Sequence, residues 1–137
     1  VFPDILGITN LYGASIYYAH EIGTDQVNSS GRTSIDAFIR SGDFDIDDGE
    51  LFMSMRRFMP DYKFLIGNSK VTLFISDYPS DTQEGSPLGP FTITTTTDKI
   101  DTRARGRLLS LKIENDAAGE TWRYGSFRLD AQPDGRR

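Results

Sequence analysis

Hydrophobic and polar positions alternate along most of this chain, with a period of two rather than 3.6. Ile16, Tyr18, His20 and Ile22 fall on one side of an extended segment, with Tyr17, Ala19 and Glu21 on the other. That is the pattern of a strand with two unlike faces. Two clusters of turn formers follow, Gly23-Thr24-Asp25 and Asn28-Ser29-Ser30-Gly31; these residues accept positive φ or bond their own backbone. From Phe2 to Leu11 the spacing is irregular and Pro3 interrupts it, so it predicts no element.

The alternation is cleaner from Thr33 onward. Ile35 to Arg40 predicts a strand, with a bend or bulge at Ser41-Gly42. Phe44 and Ile46 alternate with Asp43, Asp45 and Asp47, and Leu51, Met53 and Met55 resume the pattern beyond Asp48-Gly49. An Asp-Gly pair between two alternating runs predicts a type I′ hairpin, closed at its far end by Pro60-Asp61. Lys70 to Tyr78 predicts the next strand, with Val71, Leu73 and Ile75 inward and Thr72 and Ser76 outward. Pro79 to Pro90 reads as a loop and Phe91 to Thr97 as a Thr-rich strand. Ile100 to Glu114 reads as one long strand or a bent pair, with Leu109, Leu111 and Ile113 inward. A turn from Asn115 to Glu120 leads to a last strand, Trp122 to Ala131, and a polar tail, Pro133 to Arg137.

About seven short strands with turn signals between them predict an all-β fold, an antiparallel β-sandwich or barrel. The sandwich is expected over residues 33–137. Residues 1–32 are expected to form a strand-bearing segment belonging to a larger upstream domain. The apolar start, Val1-Phe2, fits one piece of a longer polypeptide.

Composition narrows the class. Hydrophobic residues make up 37% of 137 positions, and nine Phe, six Tyr and one Trp supply bulky side chains for a core. With 15 basic and 20 acidic residues the net charge is -5, which disfavours a sequence-independent grip on nucleic acid. No cysteine is present, which fits folding in a reducing cytoplasm. No apolar run approaches the ~20 residues of a membrane span, so no membrane partner is expected.

Candidate chemistry is sparse. His20 is the single histidine and stands among tyrosines, without a nucleophile elbow around it. Asp43, Asp45, Asp47, Asp48 and Glu50 invite a calcium reading, but an EF-hand counted from Asp43 needs Gly where Asp48 stands and Glu where Ser54 stands. The run reads as the solvated face of an edge hairpin, with a weak metal site at Asp43, Asp45 and Asp47 as the alternative. Carboxylates assembled in space for hydrolysis are a further alternative. Arg103, Arg105 and Arg107 recur at period two around Gly106. Such a row suits phosphate or carboxylate recognition, or pairing with acidic groups across the sheet or on a neighbouring subunit. No cofactor fingerprint is present, and no catalytic residue is assigned.

Several segments together resemble a known family. Ser34 to Ile46, Thr97 to Arg107, Trp122 to Asp130 and Pro133 to Arg137 are similar to the C-terminal portion of tail or neck proteins of short-tailed bacteriophages, including nozzle-type proteins. Those proteins carry β-propeller-like regions beside β-sandwich insertions. The resemblance implies a virion structural protein without catalytic residues, assembled in the host cytoplasm as a homo-oligomeric ring. It also implies contacts with other tail or neck proteins, and a genome that passes transiently through the lumen without specific binding. Ile16 to Ile22 would then be a strand of a propeller blade. The alternative is a β-sandwich module binding a carbohydrate or receptor through the loop Ser80 to Gly89 and Tyr78.

Overall fold

The computed structural model of the protein describes residues 5–9, 16–20, 25–28, 31–46, 49–78, 86–115 and 117–136, with backbone alone for 5–9, 16–20, 26–28 and 86. Its strands are β1 (Ile5–Thr9), β2 (Ile16–His20), β3 (Asp25–Asn28), β4 (Gly31–Ser34), β5 (Phe38–Arg40), β6 (Met53–Ile66), β7 (Ser69–Ser76), β8 (Ser86–Ile93), β9 (Ile100–Gly106), β10 (Leu108–Glu114) and β11 (Thr121–Pro133). Seven of them form two antiparallel sheets, one in the order β5-β10-β7-β8 and the other β11-β6-β9. The predicted all-β sandwich is therefore the fold. β1 with β2, and β3 with β4, form separate two-stranded pairs.

The sheets face each other largely through residues that alternation had pointed inward, joined by Phe58 and Ile93. Met53, Met55 and Phe58 from β6 meet Val71 and Leu73 from β7, Ile93 from β8, and Leu109, Leu111 and Ile113 from β10. Each such side chain contributes about 1.5–3 kcal/mol by leaving water. Phe127 on β11 extends the core, its ring 5.5 Å from Phe44 and 6.2 Å from Phe58.

The expected hairpin at Asp48-Gly49 does not form. Gly49 has the positive φ (72°) such a turn requires, but the strands on either side join different sheets. β5 pairs with β10, and Phe44 bridges Leu109 of that strand; β6 pairs with β11 and β9. Local turn chemistry permits a hairpin, yet the chain crosses between sheets here: Phe44 bridges Leu109 and packs on Phe127, while Met53 is buried opposite Gly106 and Pro133. Asp43 and Asp45 are exposed on this crossover rather than on a hairpin face, and Asp47 lies outside the described residues.

Other boundaries shift for similar reasons. The first predicted strand of this block shortens to Phe38–Arg40. Pro60-Asp61 is no turn: β6 runs through it, with Pro60 opposite Phe127. β9 pairs no further than Phe58, so among the described residues β6 has a free edge beyond that point, where a residue lacking an N–H is tolerated. The loop predicted from Pro79 to Pro90 is partly strand, because Ser86 onward pairs with β7. Gly89, at φ 112°, makes the bulge in that pairing; a Cβ there would stand 2.8 Å from the Val71 carbonyl oxygen. Thr94 to Thr97 leaves the sheet. The Thr94 amide donates to Thr97 Oγ1 (3.0 Å) and the Thr97 amide to the Thr94 carbonyl (3.1 Å), a local arrangement that competes with strand pairing. Thr72, expected to face outward into solvent, is buried in the middle of its sheet opposite Lys112.

Ile100 to Glu114 is the bent pair. The bend at Gly106-Arg107 carries the chain from one sheet to the other, and the Arg107 amide donates to the Ser76 carbonyl there (3.1 Å). The division at 32/33 falls inside the β3–β4 pair. Asp25 on β3 is buried; its carboxylate accepts a 2.6 Å hydrogen bond from the Gly119 amide in the β10–β11 turn and faces Arg32 at 3.7 Å. β2 pairs antiparallel with β1, His20 opposite Ile5.

Candidate functional site

β9 is an edge strand, and period two puts Asp101, Arg103 and Arg105 on its outward side. Its neighbour β6 shows the same face through Ser54, which stands opposite Arg105. Between Met55 and Arg57 the register shifts, so that Met55 faces Ala104 while Arg57 faces Asp101. Arg56 sits at this bulge and is exposed. Ser54, Arg56, Asp101, Thr102, Arg103 and Arg105 line an open groove of about 1040 Å³ along the two strands.

The three arginines of the predicted row do different work. Arg105 donates from Nε to Asp134 Oδ2 (2.6 Å) and from Nη2 to the Asp134 carbonyl (3.2 Å). Arg107 donates to the Arg136 carbonyl (3.3 Å). Both guanidiniums lie over the Phe52 ring, at 4.1 and 4.8 Å from its centroid, and Arg107 also lies 5.6 Å from the Tyr78 ring. Phe52 is tied to the same tail by its backbone: its amide donates to the Gly135 carbonyl (2.8 Å) and its carbonyl accepts from the Asp134 amide (2.7 Å). Arg105 and Arg107 therefore clasp the segment Asp134 to Arg136, which the sequence presents only as a polar tail. Arg103 is exposed, and neither it nor Arg56 has an ion pair or hydrogen bond among the described residues.

The carboxylate nearest to Arg103 in sequence is already engaged. Asp101 accepts from Arg57 Nε at 2.7 Å and lies 3.8 Å from Lys99 Nζ. The Arg57 hydrogen bond holds the Asp101 carboxyl below its ordinary pKa, and the same bond raises that of Arg57. The groove thus contains one neutralised acid, one arginine paired with Asp134, and two arginines whose charge is uncompensated among the described residues. Flanked by the hydroxyls of Ser54 and Thr102, such a surface can accept anionic groups by charge-assisted hydrogen bonds.

Arg56 was the residue that sequence reasoning missed. Its signal is the doublet Arg56-Arg57, which breaks alternation between Met55 and Phe58 and marks the bulge. Of the candidate metal residues Asp43, Asp45 and Asp47, the last lies outside the described residues; among the described residues no group of three His, Cys, Asp or Glu side chains is placed to hold a metal ion. Among the same residues, no helix is long and apolar enough to cross a membrane.

A second surface is apolar. All three residues of β5 are exposed, and Phe38 and Ile39 keep 67% and 55% of their surface in water although they point to opposite sides of the strand. Lys112 lies 5.2 Å from the Phe38 ring centroid. Comparison with protein-family models and with curated proteins finds no match.

Proposed function

We propose that this chain is a non-catalytic structural module of a bacteriophage virion, a tail component of the nozzle or tail-tube kind that works in a homo-oligomeric ring around the DNA channel. The observation that carries the structural part of this reading is β5. It is a three-residue strand on the edge of its sheet, exposed on both faces, with two large apolar side chains in water. An uncovered apolar edge of this kind is a surface for another chain. The phage assignment is supported by the motifs from Ser34 to Ile46, Thr97 to Arg107 and Trp122 to Arg137. Net acidity supports a conduit role, because a wall of like charge does not hold passing DNA.

Two measurements test it. Mass spectrometry of purified particles should find this sequence in the tail, and its absence from particles refutes the phage reading. A glycan array should be silent. Ligand-dependent stabilisation by a sugar would favour a carbohydrate-binding module instead.

A further inference from the structure

We propose that the arginine groove around Arg56 and Arg103 receives the acidic side chains of the crossover of a second copy of this chain, Asp43, Asp45 and Glu50. The inference rests on the homo-oligomeric reading above and names the contact it would use. One chain carries both halves of a complementary pair. The groove presents two guanidiniums without a partner among the described residues, and the crossover presents Asp43 and Asp45, both exposed, with Glu50, whose carboxylate lies 3.6 Å from Arg136.

The two surfaces belong to different sheets. The groove lies on the outward side of β6 and β9, whereas Phe44 fixes the crossover to β10, its amide donating to the Leu109 carbonyl (2.9 Å). A head-to-tail contact, groove of one copy to crossover of the next, satisfies both. Contacts of that type close into rings or extend into filaments.

Duplex DNA is weaker on charge. It is held by many phosphate contacts, about 6–10 in a salt-sensitive complex. This groove offers two cations uncompensated among the described residues, beside the Asp101 carboxylate, on a chain of net charge -5. The net repulsion between two copies is long-range and is damped beyond about 8 Å at physiological salt, while guanidinium–carboxylate pairs form well inside that distance.

Sedimentation velocity of the full chain over a concentration series tests the contact. The unmodified protein should associate, and more weakly as salt rises. Arg56→Glu with Arg103→Glu should weaken association at least about tenfold, and so should Asp43→Lys with Asp45→Lys. An equimolar mixture of the two charge-reversed proteins should recover association, since the glutamate groove of one meets the lysine crossover of the other while the unaltered groove and the unaltered crossover still fit. If both variants associate like the unmodified chain, the contact is wrong and the homo-oligomeric reading stands. If the unmodified chain stays monomeric at every concentration, the oligomeric reading itself fails. Salt-sensitive binding to duplex DNA that Arg56→Glu with Arg103→Glu abolishes would overturn the proposal in favour of a phosphate site.

Discussion

Gly106 stands where the chain leaves one sheet for the other, and replacing it with alanine tests whether that bend depends on the missing side chain. Its φ is not in the left-handed region, so the strain comes from space alone. A Cβ at this position would lie 2.1 Å from Ile75 Cγ2 and 3.2 Å from the Ser76 carbonyl oxygen. Two carbons in contact prefer about 3.5–4.0 Å, so one side must move by more than about 1 Å. The void beside them, lined by Met53, Met55, Ile75 and Leu109 among others, is only about 10 Å³ and leaves Ile75 little room to swing. Overpacking of this kind costs about 1–3 kcal/mol, a large part of the ~5–15 kcal/mol that holds a domain together. With a urea slope of about 1–3 kcal/mol/M, the unfolding midpoint followed by Trp122 fluorescence should fall by about 1 M. A double-mutant cycle sharpens the test. Ile75→Ala removes the obstructing methyl, so the Gly106→Ala penalty should largely vanish in that background. Penalties that add within about 0.3–0.5 kcal/mol, or a single variant as stable as the parent, would refute the steric account.

Phe58→Ala removes a fully buried ring packed on Phe127 and should cost about 3–5 kcal/mol by urea unfolding, the most damaging core truncation named here. Asp25→Ala leaves the Gly119 amide without its 2.6 Å acceptor; a loss of about 1–3 kcal/mol is expected by the same assay, together with faster exchange of the Gly119 amide. Burial raises the phenol pKa of Tyr62 and of Tyr124 above the ordinary ~10. The folded chain therefore keeps these protons where the unfolded chain loses them, so stability is intact below about pH 10 and falls as pH rises beyond it. In an ultraviolet titration at an intact fold, the Tyr62 and Tyr124 phenols should resist ionisation beyond the ordinary range; ionisation of every tyrosine near the ordinary ~10 would contradict the burial argument. Arg105→Ala should loosen the tail clasp with little effect on global stability, read as faster exchange of the Phe52 and Asp134 amides.

The sequence carried the sandwich because its signal is periodic and strong where one face is buried. Val71, Leu73, Leu109, Leu111 and Ile113 were legible as core for that reason, and all are buried. Pairing was less legible. Asp48-Gly49 has the chemistry of a hairpin turn, and nothing local distinguishes a hairpin from a crossover once Phe44 finds Leu109 and Met53 finds Gly106 and Pro133. The same limit applies to Phe2–Leu11, where β1 forms from Ile5 to Thr9 without alternation strong enough to announce it; its pairing with β2 is what reveals it. Thr94 to Thr97 failed in the other direction. Four β-branched residues favour a strand, but their hydroxyls close a turn on their own backbone first.

The arginine row shows why a period-two pattern identifies a face but not a role. Alternation alone makes Arg103, Arg105 and Arg107 equivalent. What separates them is where β9 ends and where β11 delivers the residues that follow it. Because β11 continues to Pro133, opposite Met53, the residues after it arrive beside Phe52 and within reach of Arg105 and Arg107. Those two are then committed to holding the chain's own tail. Arg103 stands nearer the middle of β9, beyond the tail's reach, and the β6 bulge sets Arg56 beside it. The separation follows from strand length and one register shift, both properties of pairing. A charge pattern read along one strand therefore locates a binding surface only after its neighbours have claimed the members they can reach, and here they leave the Arg56–Arg103 pair.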